Sequence, residues 1–505
     1  MAQGTDAGSQ GLQTGRTAET GPGGQGLARG TLRTVDAVAI SISVLSPAMA
    51  MQLNTGGVAG TAGGSTPLAF LLGGVACLAL AFVVIGFSRR MASAGYAYTY
   101  VSRSLGQSWG FLAGWLYFFA FACFVPMTMA GVGWLFSDLI GVDPQTWWFP
   151  FFLVGMLILV GLSIVRISVT TKVQLLVGVA TVLVLLVFAL IVTGKGGLHG
   201  QSLQPFTFGH TASGGFHGVF YGLIFGVTSF IGFETAADFG EETANPRRAV
   251  PIAVLAAVIF AIVFYVFITY ATTIGYGVNE LQKDPSGWVN GGLIPVAQKF
   301  GDHTLGKLIE IGALLSAFIV CVACATASSR TLFAMGREGT IPAWFAKTHP
   351  RYRTPANASI TVALVATAAA ALIGFGFAKP AIFGSDAFSV YFFFATIGTL
   401  GVILVYIALC FGGIALFRRE GRFNPLVHGL IPLVGAIIFG AAWYGSVYPV
   451  PPSILKSTPY ITLIWLAVGV GVLLWLRANR RDAVARIGSI LGEEGGILVE
   501  ALDTP

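Results

Sequence analysis

Long apolar blocks dominate the chain, and short polar segments that carry nearly all of its charge separate them. A bilayer with a hydrocarbon core of about 30 Å requires about 20 apolar residues per helix. Blocks of that length occur twelve times, so the pattern predicts an all-α integral membrane protein with twelve transmembrane helices. We place these spans at Thr34 to Gly60, Thr66 to Ser88, Ser108 to Ile140, Trp147 to Ile167, Val173 to Thr193, Gly215 to Gly240, Ala249 to Gly275, Leu305 to Met335, Ala356 to Phe377, Phe388 to Phe417, Val427 to Tyr448 and Pro459 to Arg477.

The composition agrees with this pattern. Of the 505 residues, 55% are hydrophobic and 10% are charged, whereas a soluble domain has roughly 25% charged residues. The first 30 residues are rich in Gly, Gln and Thr and contain no apolar run of the kind found in signal peptides. We expect a disordered tail over residues 1–30, a twelve-helix membrane domain over 31–477 and a second tail over 478–505.

The basic residues predict the orientation of the chain, because Lys and Arg in short loops stay on the cytoplasmic side of a membrane. With the N-terminus inside, 22 of the 28 basic residues fall in cytoplasmic segments and six fall outside. Both termini are therefore expected in the cytoplasm, with the chain crossing the cell membrane many times. The net charge of +7 follows from this topology, so it gives no reason to expect nucleic acid as a partner.

The cysteines and histidines do not form a recognisable metal or redox site. All five cysteines fall inside predicted spans, and the six histidines lie in loops or near span ends. The spacing Cys321-Val-Ala-Cys324 is that of a redox or zinc motif, but it has no flanking His or charge, so we interpret it as helix packing. We predict no metal, no cofactor and no enzyme active site.

Two spans contain residues that interrupt a helix. A membrane helix unwinds only where its freed backbone groups face a cavity or other protein. Pro47, near the middle of the first span, removes one backbone donor, and a simple proline kink is the alternative. Gly232, in the sixth span, is close to the intramembrane acid Glu234. An acid at this depth is a functional candidate, although a protonated carboxyl satisfied by neighbouring backbone is the structural alternative.

The two interrupted spans are five helices apart. This is the spacing expected if two groups of five helices, at about 34–193 and 215–417, are inverted structural repeats. Helices 11 and 12, at about 427–477, would then be additions. The repeat is inferred from topology, because the two halves share no convincing residue identity.

Three stretches of sequence resemble the amino acid/polyamine/organocation (APC) permeases. The stretch Ile231 to Pro251, IGFETAADFGEETANPRRAVP, resembles the family's sixth-helix signature. Ser93 to Gly106, followed by Gly110 to Trp115, is similar to the segment leading into helix 3, and Ser329 to Pro342 is similar to the segment after helix 8. The resemblance implies the leucine-transporter fold, with a 5+5 inverted repeat and two extra helices, and transport by alternating access.

The resemblance also implies a substrate site at the two breaks. Half-helix N-termini offer unpaired N–H groups to a carboxylate, and half-helix C-terminal carbonyls receive an ammonium group. The matching positions are Ser46, Pro47, Ala48, Met49 and Ala50 in helix 1, and Thr228, Ser229, Phe230, Ile231 and Gly232 in helix 6. Phe124, Met127, Val320 and Cys324 are added as pocket walls, with ordinary packing as the alternative. Glu234 is the candidate for proton coupling.

A charged cluster after helix 6 is a candidate cytoplasmic gate, since salt bridges there can close the site in one state and separate in another. Its members are Glu241, Glu242, Arg247 and Arg248, with Arg330 and Arg337 from the segment around the end of helix 8. The alternative is a charged loop that only fixes topology, because exposed ion pairs are usually weak.

The chain departs from many relatives at positions that bear on the substrate. Pro47-Ala48-Met49 replaces a Gly-x-Gly sequence, so one carboxylate-facing N–H is missing or displaced. Thr228 stands where several relatives have an aromatic gate, which leaves Phe225 or Phe230 as substitutes. Thr181 stands where relatives often have an ionisable side chain, and the helix-8 stretch 319–324 lacks the hydroxyls of sodium-coupled relatives.

We expect a secondary active transporter that moves amino acids, coupled to protons or to exchange. Its partners are a small-molecule substrate and the lipid bilayer. A permease for an amine such as a polyamine or ethanolamine is one alternative, and a transporter-like sensor that binds but does not move its ligand is another. A homodimer also stays open, because Gly-x-x-x-Gly spacings arise by chance in a chain with 67 glycines.

Overall fold

The computed structural model describes residues 33–91, 96–165, 171–238, 243, 245–338, 341–352, 354–377, 381–448, 451 and 453–479. Within these ranges the main elements are helices, and ten of them are long and apolar enough to cross a membrane by length and composition. One such stretch, Thr34–Ser88, contains the first two predicted spans, and the sixth predicted span matches the shorter apolar helix Gly215–Phe230. The prediction of an all-helical membrane domain is therefore confirmed.

We number eighteen helices along the described chain. The first nine are α1 (Thr34–Val44), α2 (Pro47–Met49, continued by the π-helical turn Ala50–Asn54 and by Thr55–Ala62), α3 (Thr66–Ser88), α4 (Tyr96–Leu105), α5 (Gln107–Leu139), α6 (Pro144–Val165), α7 (Thr171–Gly194), α8 (Gly215–Phe230) and α9 (Thr235–Asp238). The other nine are α10 (Pro246–Tyr276), α11 (Val278–Lys283), α12 (Ser286–Gly291), α13 (Ile294–Phe300), α14 (His303–Glu338), α15 (Ala356–Ala371), α16 (Asp386–Arg419), α17 (Ile431–Gly445) and α18 (Thr458–Asn479).

Local sequence accounts for several helix ends. Pro246 begins α10, where its missing N–H costs nothing and its fixed φ suits the helix. The Ser385 side chain accepts a hydrogen bond from the Phe388 N–H and so caps the start of α16. Gly277 ends α10 with φ near +100°, a conformation that favours glycine.

The centre of the bundle is built around α5, which packs along α14, α16 and α6. Small residues allow this close approach. A Cβ on Gly133 would lie 2.2 Å from the Trp148 carbonyl oxygen of α6, and a Cβ on Gly398 of α16 would lie 2.5 Å from the ring of Phe124. Glycine at these positions therefore sets the distance between α5 and its neighbours.

The last two helices lie beside this core. Helix α17 packs on α3, α8 and α16, and α18 packs on α5 and α16. Trp115 of α5 stacks on Trp465 of α18 with ring centroids 4.7 Å apart, and each indole N–H donates to the other residue's carbonyl oxygen. Exposed apolar side chains such as Leu157 and Leu176 give the bundle a surface suited to lipid.

Candidate functional site at two helix breaks

The first break separates α1 from α2. Helix α1 ends at Val44, and Ser46 takes the left-handed conformation with φ +48° before Pro47 begins α2. A proline cannot continue the helix of the preceding turn, because its ring clashes with that turn and it has no N–H. The freed Leu45 carbonyl accepts a hydrogen bond of 3.1 Å from the Tyr265 hydroxyl of α10. The sequence-predicted interruption is a true break rather than a kink.

The Ser46 side chain ties this break to α14. Its hydroxyl is buried and shares a hydrogen bond with the hydroxyl of Ser316. The Ser46 carbonyl accepts from the Ala50 N–H at 3.0 Å, which closes the first turn of α2. The N–H groups of Ala48 and Met49 belong to the first turn of α2, where a helix provides no internal acceptor.

The second break separates α8 from α9. Helix α8 ends at Phe230, Ile231 is extended, and Gly232 has φ +116°. Helix α9 begins at Thr235, whose N–H donates to the Gly232 carbonyl at 3.1 Å. A φ of this sign is open to glycine and strained for other residues, so Gly232 is what allows the chain to turn here.

Glu234 braces this second break. Its carboxyl is fully buried; Oε2 accepts a hydrogen bond of 3.0 Å from the Gly232 N–H, and Oε1 accepts one of 2.6 Å from the Tyr406 hydroxyl of α16. The carboxyl thereby satisfies a backbone donor that the break leaves free. The hydrogen bond from the Gly232 N–H is the backbone contact that the structural alternative from the sequence describes, and the protonation and titration of Glu234 stay a prediction.

The two breaks are in contact. A Cβ on Gly232 would lie 2.9 Å from Cγ1 of Val44, 3.2 Å from its carbonyl carbon and 3.3 Å from the Leu45 nitrogen. The Ala236 N–H of α9 donates to the Ser41 hydroxyl of α1 at 3.1 Å. The unwound segments therefore lie side by side.

A polar network beside the breaks joins three helices. The Asn54 amide of α2 accepts a 2.6 Å hydrogen bond from the Tyr391 hydroxyl of α16 and donates one of 3.1 Å to the Ser229 hydroxyl of α8. A second link joins α8 to α16 through the Thr228 and Thr399 hydroxyls, 2.6 Å apart. Polar groups buried in a membrane are costly unless paired, so this network fixes the relative positions of the three helices.

Comparison with known proteins identifies the bundle. The amino acid permease family matches this chain over residues 32–475. The chain belongs to the amino acid permease family. It is therefore a multi-pass membrane protein and a secondary transporter, and the resemblance to APC permeases seen in its motifs is confirmed.

Individual relatives are similar to this permease over most of their length. The low-affinity putrescine importer PlaP of Escherichia coli strain K12 is 26% identical over 475 residues, covering 90% of this chain and 95% of that protein. The branched-chain amino acid permease BcaP of Lactococcus lactis is 25% identical, covering 89% and 95%. A crystal structure of the Eremococcus coleocola manganese transporter shares the fold, with a TM-score of 0.54, 12% identity and coverage of 89% and 95%.

Two candidate gating rings of this permease lie on different sides of α8. Phe230 is fully buried, and its ring packs against Gly74 of α3 and Tyr265 of α10. Phe225 instead packs on Phe392 of α16, with ring centroids 5.2 Å apart, and both rings lie against Gly57 of α2. Phe225 therefore lies between α2, α8 and α16, and a gating role for either ring stays a prediction.

The predicted wall residues occupy facing helices. Phe124 of α5 is buried and contacts Gly398 of α16, and Met127 is also buried. On α14, Val320 is half-buried and Cys324 is buried. These placements are compatible with a pocket wall and with ordinary packing, the two interpretations that the sequence leaves open.

The predicted cytoplasmic gate lies only partly in the described structure. Arg247, Arg248 and Arg330 are exposed, whereas Glu241, Glu242 and the side chain of Arg337 lie outside the described residues. The gate therefore stays a prediction. All five cysteines are free and buried, and the described residues contain no group of three or more His, Cys, Asp or Glu side chains that could hold a metal.

The sequence did not single out several residues that the structure places at the breaks. These are Asn54, Tyr265, Ser316, Tyr391, Thr399 and Tyr406. Asn54 carried a usable signal, since an amide inside an apolar span seven residues after Pro47 needs a buried partner. The three tyrosines, Ser316 and Thr399 carried no such signal in the sequence, because tyrosine, serine and threonine are common in membrane helices.

One end of the permease is covered by α11 to α13. The Gln52 side chain, in the π-helical turn of α2, donates to the Gly291 carbonyl at 3.1 Å and accepts from the Leu293 N–H at 2.9 Å. Trp288 is buried and donates from its indole to the Thr55 hydroxyl at 2.9 Å. We call these contacts the Gln52 clasp; they close this end over α2.

Gly292→Ala is expected to weaken the Gln52 clasp. Gly292 has φ +61°, and a Cβ there would lie 2.3 Å from Gln52 Nε2 and 2.5 Å from the Gln52 backbone oxygen, so either the clasp or the turn must shift. We expect a cysteine introduced at Leu53, which lines a small cavity beside the clasp, to react several-fold faster with a membrane-impermeant thiol reagent. Gly287→Ala, whose Cβ meets only the Tyr276 ring at 3.3 Å, is the matched control. Equal labelling rates in both variants would contradict the prediction.

Proposed function

We propose that this permease moves α-amino acids across the cell membrane by alternating access and binds them between its two helix breaks. The observation that supports this most directly is the contact of Gly232 with the end of α1. This contact brings the start of α2 and the end of α8 to one level. The first N–H groups of α2 are suited to a carboxylate, and the C-terminal ends of α1 and α8 are suited to an ammonium group. A zwitterion matches both.

The environment of Glu234 favours an amino acid over a polyamine. A polyamine has two or more ammonium groups and no carboxylate, so its site needs an accessible acid. Among the side chains that the structure describes, Glu234 is the acid beside the breaks, and both of its oxygens already accept hydrogen bonds from Gly232 and Tyr406. A substrate ammonium would have to displace one of these donors.

An amine substrate is the second candidate, and Pro47 favours it. Pro47 occupies the first position of α2 and offers no N–H, so the carboxylate-binding end of this half-helix has one donor fewer than a Gly-x-Gly sequence would provide. One relative imports putrescine and another carries branched-chain amino acids, so the comparisons are compatible with both substrate classes.

We further propose twelve spans arranged as two inverted five-helix repeats with α17 and α18 added. Matching contacts in the two halves support this. The contact of α1 with α10 in one half corresponds to the contact of α8 with α3 in the other. In the same way, the contact of α1 with α7 corresponds to that of α8 with α16, and the contact of α5 with α16 corresponds to that of α14 with α7. Symmetric contacts of this kind are what two inverted repeats produce.

We propose cytoplasmic termini in the plasma membrane, on the charge distribution along the sequence. The end covered by α11 to α13 is then extracellular. Because the Gln52 clasp closes that end, the conformation described here is closed to the outside. Opening of the clasp would be part of each transport cycle.

A ligand screen on the purified permease tests the substrate class. A ligand that binds only the folded state stabilises it by about 2.7 kcal/mol at 100 times its Kd, so it raises the thermal midpoint. We expect one or more α-amino acids to raise the midpoint and putrescine and ethanolamine to leave it unchanged. A shift with an amine and with no amino acid would contradict the proposal and support the second candidate. Accumulation of the labelled ligand in proteoliposomes excludes a sensor that binds without transport.

A further inference from the structure

Five arginines lie where α3 ends and where α16 connects to α17. They are Arg89, Arg90, Arg418, Arg419 and Arg422. The turn Gly63–Ser65, which leads into α3, packs on α11, and α3 then runs for 23 residues, or about 35 Å. The arginines therefore lie at the end of the bundle opposite α11–α13. This is the cytoplasmic end in the orientation proposed above.

Arg90 and Glu420 join α3 to α16 at this end. The Arg90 Nε donates to the two carboxylate oxygens of Glu420 at 2.7 and 3.0 Å, and its Nη1 donates to the Gly86 carbonyl at 3.0 Å. The guanidinium carbon also lies 4.3 Å from the ring centroid of Phe417. Glu420 is the acid within residues 417–430, and Arg90 already neutralises it.

The other four arginines carry charge that the described residues do not balance. These exposed residues are Arg89, Arg418, Arg419 and Arg422. Within the part of the chain that the structure describes, no carboxylate forms a salt bridge with any of them. Clusters of roughly four to eight basic residues beside the cytoplasmic end of a transmembrane helix are typical of sites for anionic lipid headgroups.

The connection from α16 to α17 is an ordered structure. The Asn424 side chain accepts hydrogen bonds of 2.9 and 3.2 Å from two N–H groups of the π-helical turn Pro425–Leu430, which leads into α17. The His428 ring stacks on Phe417 with ring centroids 3.6 Å apart, and the Arg418 guanidinium lies 5.0 Å from the ring centroid of Phe423. Because the connection is held in place, its arginines lose less conformational freedom when they bind a ligand.

An apolar strip continues from the arginines along the π-helical turn and α17. Its members recur every three or four residues, lie on one side of the helix and are 43–61% exposed: Leu426, Leu430, Leu433 and Ile437. The strip is about 16 Å long and runs toward the middle of the membrane. A phosphate ion or an acidic peptide in the cytoplasm would contact only the arginines. A phospholipid contacts the arginines with its headgroup and the strip with its acyl chains.

We propose that the arginine cluster and the apolar strip together bind a phospholipid with an anionic headgroup from the cytoplasmic leaflet. Arginine donates paired N–H groups to phosphate oxygens, and the unbalanced positive charge of the cluster selects an anionic headgroup over a zwitterionic one. The bound lipid stabilises the junction of α3, α16 and α17. The inference goes beyond the proposed function, because the lipid is recognised outside the substrate site.

Binding of fluorescent phosphatidylglycerol to the purified permease in a non-ionic detergent tests the proposal. We expect saturable binding, and we expect phosphatidylcholine with the same acyl chains to compete at least about tenfold more weakly, because its headgroup has no net charge. Inorganic phosphate at the same concentration should not compete, because it has no acyl chains to contact the strip. Equal competition by phosphatidylcholine, or displacement of the lipid by inorganic phosphate, would overturn the proposal.

The double variant Arg419→Gln/Arg422→Gln tests the arginines directly. Neither side chain forms a salt bridge with the described residues, so we expect the wild-type thermal midpoint in lipid-free detergent and binding of phosphatidylglycerol that is about tenfold weaker or more. Lys347→Gln/Arg351→Gln is the matched control, since it removes two exposed positive charges between α14 and α15, and it should keep the wild-type affinity. Wild-type affinity in the first variant, or an equal loss in both, would contradict a specific site. The measurement needs no transport, so it stands even if the proposed function fails.

Discussion

Replacing Gly232 with alanine is expected to reduce transport by about tenfold or more. A non-glycine residue held at a strained backbone conformation costs about 1–3 kcal/mol, and about 1.4 kcal/mol corresponds to a factor of ten. Gly232 has φ +116°, and the new Cβ would also press on Val44 and Leu45. The substitution therefore acts on both breaks at once. Initial uptake rates in proteoliposomes and the thermal midpoint of the purified protein measure the effect.

Gly226→Ala is the matched control for this prediction. Gly226 lies on the same broken helix, inside α8, and a Cβ there meets only the Ala69 backbone at 3.6 Å or more, an ordinary van der Waals distance. We expect Gly226→Ala to keep most of its uptake. Wild-type uptake by Gly232→Ala would show that the turn at the second break does not require glycine.

Replacing Glu234 with leucine is expected to destabilise the permease and abolish transport. The substitution leaves the Gly232 N–H and the Tyr406 hydroxyl without their acceptor in a buried site. Each unsatisfied buried donor costs about 1–3 kcal/mol. The thermal midpoint should fall well below that of the wild type, and Tyr406→Phe, which removes one of the two donors, should cause a smaller fall. An unchanged midpoint in Glu234→Leu would refute the bracing role.

The Glu234→Gln variant distinguishes between two roles of the Glu234 carboxyl, which are accepting hydrogen bonds at the break and binding a proton during transport. The glutamine keeps a carbonyl oxygen that can accept the Gly232 N–H, so we expect the variant to fold. The amide does not exchange a proton in the range of pH 5 to 8. Loss of the pH dependence of uptake in this variant would confirm the sequence-based hypothesis that Glu234 titrates, and an unchanged pH dependence would leave the carboxyl with the bracing role alone.

The breaks show how far the sequence predicts this site. Pro47 and Gly232 are recognisable because each has a backbone property that no other residue shares, so an apolar span that contains one at its middle is marked without knowledge of any contact. Glu234 is recognisable because an acid is rare at that depth. The sequence therefore located both breaks and the acid beside one of them.

The role of the acid could not be read in the same way. Whether Glu234 faces a substrate or satisfies a backbone donor depends on Tyr406, which is 172 residues away in the chain. Likewise, Phe225 and Phe230 are both aromatic and both lie in α8, yet one packs beside α2 and the other between α3 and α10. The helix that a side chain points toward cannot be read from the residues next to it in the sequence.

The sequence by itself determined the membrane-embedded helical class, the positions of most spans, the two interruptions and the family. These follow from hydropathy, from backbone chemistry and from motifs, which are all local properties. Only the tertiary structure decided that Gly232 contacts the end of α1 and that Asn54 joins α8 to α16. Each of these contacts joins helices that are distant in the chain, and in an apolar bundle many helix arrangements satisfy the same hydropathy pattern.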